Sequence, residues 1–479
     1  MRPVIDPVAM KTMMETIPGP RSSAIRQALQ FGANQYDFLR RSNDALGDVF
    51  TMEIPNALPR VILGHPHDIK KVFALRPERY YSADLSLHQN VGERCLLFTD
   101  GEHHRQDRSL LSPPLHGVFL EGYGPHMLEC AQSMIDGWKP GSTVLLQDEL
   151  TEATLRIIMR CVLGADEGEE REERLRRLVT DWLDNVLTPG LFMVGSLVGL
   201  HKMRRHLERK TDERLSKRHG ICPYPGRKST ALKAEFMRML IEDVERCRSE
   251  GIGERDDVLA RVSAASYEGE GLMDMRTVVD QVTLLFSAGH ETTAKSLGWV
   301  LRDITERPTL AVQLKAEVEE HFGDGPIDPL MCRELPLLNS VIKESMRLTP
   351  VTAVVQREIT APLEIRDYTL ATGTVVVPSN YLAHRHPAFW KRRDEFIPDR
   401  FIGLKPPPNV YFPFGGGGRK CLGATFAEFE MPILLAPIIR RVELGASPGV
   451  EVTPVYGGIT IGPSDGLPMK VRAVRGRAS

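Results

Sequence analysis

The stretch Phe414-Gly415-Gly416-Gly417-Gly418-Arg419-Lys420-Cys421-Leu422-Gly423 places one cysteine in a glycine-rich loop, two residues after an arginine. A Gly-free, apolar segment follows from Ala424 to Val442 and reads as a helix. A cysteine so placed is presented at a helix N-terminus, where the macrodipole and the open backbone N–H groups favour a thiolate. Glycines let the backbone approach a large flat partner closely. The neighbouring arginine is suited to a carboxylate on that partner. Thiolate, close-approach loop and carboxylate-binding arginine together describe a site for haem held by an axial cysteine.

Other readings of the loop fare worse. A phosphate-binding P-loop needs Gly-Lys-Ser/Thr, whereas Arg419-Lys420-Cys421 stands here. A dinucleotide fold wants its glycines early in a βαβ unit, with an acidic residue about 20 positions on. A plain structural turn with an ordinary cysteine stays open on these ten residues alone.

The stretch resembles the haem-binding signature of the cytochrome P450 family, Phe-x-x-Gly-x-Arg-x-Cys-x-Gly, with Phe414, Gly417, Arg419, Cys421 and Gly423 at the fixed positions. Three more family patterns stand upstream in the expected order. Ala288-Gly289-His290-Glu291-Thr292-Thr293 is similar to the oxygen-activation segment of a long central helix. Glu344-Ser345-Met346-Arg347 resembles the Glu-x-x-Arg motif, and Phe396-Ile397-Pro398-Asp399-Arg400-Phe401 the Phe-x-Pro-x-Arg-Phe loop. His104 and Arg108 stand where the family carries Trp/His-x-x-x-Arg, and Ile17-Pro18-Gly19-Pro20 resembles the proline hinge that opens the catalytic domain.

The resemblance implies a mainly α fold with small β-sheets, the P450 triangular prism. Residues 1–16 form an N-terminal extension and 17–479 a single catalytic domain. It implies haem b (iron protoporphyrin IX) with Cys421 as its axial iron ligand, and His104, Arg108, Arg357 and Arg419 as partners of the propionates. Glu291 and Thr292 are the acid–alcohol pair that handles protons. Glu344 and Arg347 share a helix face at i,i+3 and, with Arg400, form a buried charge network that supports the cysteine loop. The implied activity is monooxygenation, the hydroxylation or epoxidation of an apolar substrate such as a fatty acid, terpenoid or polyketide-like compound of bacterial secondary metabolism. Electrons come from NAD(P)H through a separate ferredoxin or flavodoxin and its reductase, since no flavin or iron–sulfur segment is seen. A peroxide-driven or isomerising haem-thiolate enzyme is the nearest alternative, and a haem-binding sensor or carrier is the alternative outside enzymes; neither needs the Glu291–Thr292 pair. Taken alone, Thr292 also reads as a mid-helix residue bonding back to the carbonyl four positions earlier. His290-Glu291 does not open a zinc-protease HExxH, because position 294 is Ala.

Composition sets outer limits. A chain of 479 residues, 42% hydrophobic, can bury a large core, and 61 basic residues against 63 acidic argue against a nucleic-acid binder. Seven scattered cysteines without CxxC spacing suit neither a zinc site nor a disulfide framework, and a reducing cytoplasm is expected. Met1 to Met14 has no apolar run, and Val186 to Leu200 is broken by Pro189, Gly190, Gly195 and Gly199, so no transmembrane anchor is expected. The protein is expected to be a monomer.

Along the chain, residues 48–52 and 60–63 read as strands, His65–Leu75 as a helix and 81–100 as a long functional loop. Helical patterns run from about 102 to 345. Glu167–Arg177 reads as a solvated helix start, 217–231 as a basic surface loop, and 351–382 as short β pieces and turns. The resemblance draws pocket walls from 82–99, 186–200, Val282–Ala288, Val351–Val355 and Gly458–Ile461. Lys391-Arg392-Arg393 is a candidate basic patch for an acidic electron donor.

Overall fold

The computed structural model describes residues 7–55, 57–82, 91–164, 169–186, 200–216, 226–253, 255, 257–267, 271–457 and 460–476. The helices are, in chain order, Pro7–Thr16 (α1), Ala24–Ala33 (α2), Gln35–Leu46 (α3), Pro66–Phe73 (α4), Gly101–Leu111 (α5), Gly117–Asp136 (α6), Leu146–Leu163 (α7), Glu169–Val186 (α8) and Leu200–Leu215 (α9). They continue with Arg227–Glu250 (α10), Val258–Ser263 (α11), Met275–Gly289 (α12), Glu291–Thr305 (α13), Pro308–Phe322 (α14), Pro336–Leu348 (α15), Asn380–Ala383 (α16) and Ala424–Arg441 (α17). The architecture is thus mainly helical with small sheets.

Two compact units emerge. Unit one comprises Met1–Ala83, Leu120–Ala153 and Thr292–Ser479. Its main sheet orders β1 (Val49–Met52), β2 (Arg60–Leu63), β10 (Val375–Pro378), β7 (Arg357–Ile359) and β3 (Tyr80–Tyr81). β1 and β2 pair antiparallel, and β2 runs parallel to β10, the intervening chain serving as the crossover a parallel pair requires. Successive strand residues face opposite ways. Val49, Val61, Leu63 and Val376 pack on one side with Met10 and Met13 of α1. Phe50, Ile62, Val375 and Val377 pack on the other with Tyr36, Phe38 and Leu39 of α3. From Pro7, then, the expected N-terminal extension is a helix that covers the sheet. Smaller sheets join β11 (Val442–Ala446), β14 (Pro468–Val474) and β4 (Thr143–Leu145), and pair β12 (Pro454–Gly457) with β13 (Thr460–Pro463) and β8 (Leu363–Ile365) with β9 (Tyr368–Leu370).

Unit two comprises Asp84–Phe119 and Thr154–Glu291. It carries α5 and α8 to α12, with a short hairpin of β5 (Ser266–Tyr267) and β6 (Gly271–Leu272). The core of α10 is apolar through Phe236, Met237, Leu240 and Val244. This helix corrects the loop expected over 217–231: Gly226 takes a left-handed φ of 82° and the helix begins at Arg227, whereas 217–225 lie outside the described residues.

Candidate active site

The Cys421 loop is shaped by backbone contacts within unit one. Gly415 N–H donates to Phe412 O (2.9 Å), Lys420 N–H to Gly417 O (3.1 Å) and Cys421 N–H to Phe414 O (2.9 Å). α4 presses on the loop from behind. A Cβ on Gly416 would stand 2.4 Å from the Phe73 ring, and one on Gly417 would stand 2.7 Å from the Phe73 carbonyl. Gly417 also has φ +66°, so only glycine takes this position without strain. α17 starts at Ala424 with Gly423 as its cap residue, which puts Cys421 just before the positive end of an 18-residue helix. Cys421 is exposed, whereas Cys95, Cys130, Cys161, Cys247 and Cys332 are buried core residues. Cys222 lies outside the described residues.

Arg357, on β7, is buried and braces this loop: one guanidinium nitrogen donates to Gly416 O (3.1 Å) and the carbon lies over the Tyr80 ring (5.4 Å). Arg419 is half-buried in the 3-10 turn Gly417–Arg419. A thiol facing outward, a backbone cleared of side chains and two arginines at one loop are what an axial-thiolate haem with carboxylate arms requires, so the residues present fit that group. His104 (buried) and Arg108 (half-buried) lie on α5 in unit two.

Glu344, Arg347 and Arg400 meet. Arg347 grips the Glu344 carboxylate with two nitrogens (2.7 and 2.9 Å), and Arg400 Nε reaches the same carboxylate at 2.9 Å. Ile397 N–H donates to it as well (2.8 Å). The remaining Arg347 donors go to the carbonyls of His384 (3.0 Å), Arg393 (2.6 Å) and Glu395 (3.1 Å). Trp390 lies beneath Arg347 and Arg400. Glu344 and Arg347 are both 0% exposed, so this pair is unlike a surface ion pair of small effect. The network also ties to the cysteine loop through the chain: His384, whose carbonyl Arg347 holds, accepts Phe412 N–H on Nε2 (2.8 Å).

The long central helix expected around Glu291 is two helices with a break at His290. His290 is buried; its Nδ1 lies 2.6 Å from Phe286 O, and its carbonyl accepts Thr154 Oγ1 (3.1 Å). A Cβ on Gly289 would stand 2.8 Å from Ile158 of α7, so the glycine permits close helix packing. Glu291 and Thr292 are both half-buried. The Lys391–Arg393 patch is weaker in charge than its sequence suggests, because Arg392 pairs with Glu395 (2.6 Å) and Arg393 with Asp394 (3.3 Å). Of the pocket candidates, Leu85, Leu87, Leu191, Phe192, Val194 and Ile459 lie outside the described residues. Phe286 is a core residue edge-on to Phe236.

Sequence reasoning passed over Glu430. It sits on α17, two turns beyond Cys421, 1% exposed among apolar neighbours. Neither carboxyl oxygen has a hydrogen-bond partner among the described residues. Burial pushes this carboxyl up to about 8, and the nearby Thr293 hydroxyl offsets only part of that. A folded-state pKa above the unfolded one gives stability that is complete below the ordinary carboxylate range and lost as pH rises through about 8. Thermal melts from about pH 5 to about pH 9 are therefore expected to fall more steeply for the wild type than for Glu430→Gln. Parallel curves would contradict the buried neutral acid.

The description Cytochrome P450 belongs to the family model that matches residues 17–467 of this chain. The protein named "Putative cytochrome P450 135B1" of Mycobacterium tuberculosis (strain ATCC 25618 / H37Rv) is 31% identical over 461 residues, covering 96% of this chain and 92% of that protein. "Putative cytochrome P450 138" of Mycobacterium bovis is 26% identical over 452 residues, covering 94% of each. Among solved structures, "Retinoic acid bound cyanobacterial CYP120A1" has the same fold, with TM-score 0.78 at 20% identity over 99% of this chain and 100% of that one.

Proposed function

The chain belongs to the cytochrome P450 family of haem-thiolate monooxygenases, and on that premise we propose that it hydroxylates or epoxidises an apolar organic substrate with O2, using electrons passed from NAD(P)H through a separate ferredoxin or flavodoxin and its reductase. The observation that carries the reading is the exposed Cys421 at the head of α17, in a loop pinned by Phe73 and Arg357. Haem held by Cys421 would supply the redox-active iron for a net reaction in which O2, two electrons and two protons give oxygenated substrate and water.

The chain's own residues divide the remaining work. Cys421 binds as the thiolate, favoured by the helix terminus behind it. Arg357 and Arg419 hold the carboxylate arms, the role that the resemblance also gives to His104 and Arg108. Glu344, Arg347 and Arg400 keep the loop rigid, because a buried, fully bonded charge network resists local opening. Glu291 exchanges protons with solvent through its half-exposed carboxylate, and the Thr292 hydroxyl passes them on. Fatty acids, terpenoids and polyketide-like molecules are the substrate class. The cytoplasm is the proposed location: reduced pyridine nucleotide is at hand there, and thiols stay reduced.

The test uses haem-loaded protein, a ferredoxin–reductase pair and a panel of apolar compounds, measuring product formed per NADPH consumed. The wild type is expected to couple the two. Thr292→Ala is expected to bind substrate and consume NADPH while product per NADPH falls roughly tenfold and peroxide rises, proton delivery being the lost function. An unchanged ratio would make Thr292 a plain helix residue. Absence of product in the wild type with every compound and donor would overturn the monooxygenase reading for this chain.

A further inference from the structure

Lys295 has no part in the chemistry above. It stands on α13 one turn after Thr292, and the two share a helix face at i,i+3. From Thr292 onward α13 belongs to unit one, as do β12 and β13. Half-buried Lys295 sends its ammonium to two backbone carbonyls of that strand pair, Gly457 O (2.6 Å) and Thr460 O (3.4 Å). Gly457 and Thr460 face each other across the pair. Glycines make room for the contact. A Cβ on Gly462 would stand 2.9 Å from the Lys295 side chain, and one on Gly298 would stand 3.4 Å from Pro463. One turn further along α13, Trp299 Nε1–H donates to Ile461 O (3.2 Å). The strand pair is itself held, with Ile461 N–H on Val351 O (2.8 Å) and Ser464 N–H on Thr453 O (2.9 Å).

α12 ends at Gly289 and α13 begins at Glu291, so Glu291 and Thr292 stand in a first turn. A first turn has the fewest bonds within its own helix, and its place depends on what the following turns are fastened to. Here the next turn is fastened twice. Ser296 Oγ donates to Thr292 O (2.9 Å), and Lys295 beside it ties the helix to β12 and β13. An ammonium only donates, with three hydrogens to place, and its bonds to carbonyls are charge-assisted. An apolar side chain of similar length, such as methionine, binds neither carbonyl. Proton transfer in turn depends on where the donor stands, since a small misplacement of a reacting group is costly. We propose that Lys295 is a positioning residue for Thr292. Its ammonium fastens α13 to the β12–β13 pair and thereby fixes the place of the Thr292 hydroxyl, a role that rests on the proton-handling reading of Thr292 given above.

Two measurements on the full-length, haem-loaded protein test the role. Amide hydrogen exchange in Lys295→Met is expected to speed up about tenfold in the peptides covering α13 and the β12–β13 pair, with haem content unchanged. Coupling is measured with the apolar compound of the panel that the wild type oxidises fastest. Product per NADPH is expected to fall roughly threefold in Lys295→Met while peroxide rises, and Lys295→Arg, which keeps the cation, is expected to recover most of the loss. The double variant Lys295→Met/Thr292→Ala is expected to couple no worse than Thr292→Ala alone, because the lysine acts through the hydroxyl already removed. Unchanged exchange, unchanged coupling, an arginine variant no better than the methionine one, or losses that multiply in the double variant would each overturn the proposal. Should Lys295→Met not fold, Gly462→Ala decides: it crowds the lysine stem while leaving the charge, and is expected to shift exchange and coupling in the same direction. Hydrogen exchange does not depend on turnover. Unchanged exchange therefore removes the fastening and leaves the monooxygenase reading standing, whereas a wild type that oxidises no compound removes that reading and the positioning role together.

Discussion

Glu344→Ala and Arg347→Ala are each expected to give protein that no longer retains haem and melts well below the wild type. The Glu344 carboxylate accepts from Arg347 twice, from Arg400 and from Ile397 N–H. Removing it leaves the guanidinium groups of Arg347 and Arg400 without their shared carboxylate. Removing Arg347 leaves the buried carboxylate with only Arg400 and Ile397 N–H and frees the carbonyls of His384, Arg393 and Glu395. Breaking a buried pair from one side costs roughly 3–5 kcal/mol. The damage reaches the cofactor loop because His384 is also the acceptor for Phe412 N–H, two residues before Phe414. Arg347→Lys is expected to fail as well: an ammonium has three donors, where five hydrogen bonds from a planar fork are made. Haem content per polypeptide and the melting temperature check all three variants. Full haem with wild-type melting in Glu344→Ala or Arg347→Ala would remove the network from the account of cofactor retention.

Features with local causes could be read from the sequence. β1 and β2 follow from short runs of buried, β-prone residues, and α4 from a histidine N-cap ahead of Pro66. α17 follows from a Gly-free, largely apolar segment that tolerates Pro432 and Pro437. The i,i+3 spacing of Glu344 and Arg347 and the composition of the Cys421 loop were equally legible. Features set by distant partners were not. Met10 and Met13 dock on a sheet whose central strand lies more than 350 residues away, so residues 7–16 read as a mere extension. The bond from Thr154 to the His290 carbonyl and the close fit of Gly289 on Ile158 join residues far apart in the chain. Glu430 looked like any helix glutamate until its apolar surroundings were in place. Around the basic triplet, Asp394 and Glu395 follow directly in the chain and pair with Arg393 and Arg392.

The assignment of Cys421 as the iron ligand rests on one comparison of spectra. A thiolate ligand pushes electron density onto haem iron in a way that imidazole does not, and the reduced carbon-monoxide complex reports the difference as a red-shifted band. Cys95, Cys130, Cys161, Cys247 and Cys332 are buried and cannot take over. The wild-type protein is expected to show the thiolate band in full, and Cys421→His to lose it completely while keeping part of its haem. A wild type without the band, or a Cys421→His variant that retains it, would contradict the assignment and with it the monooxygenase reading of the loop.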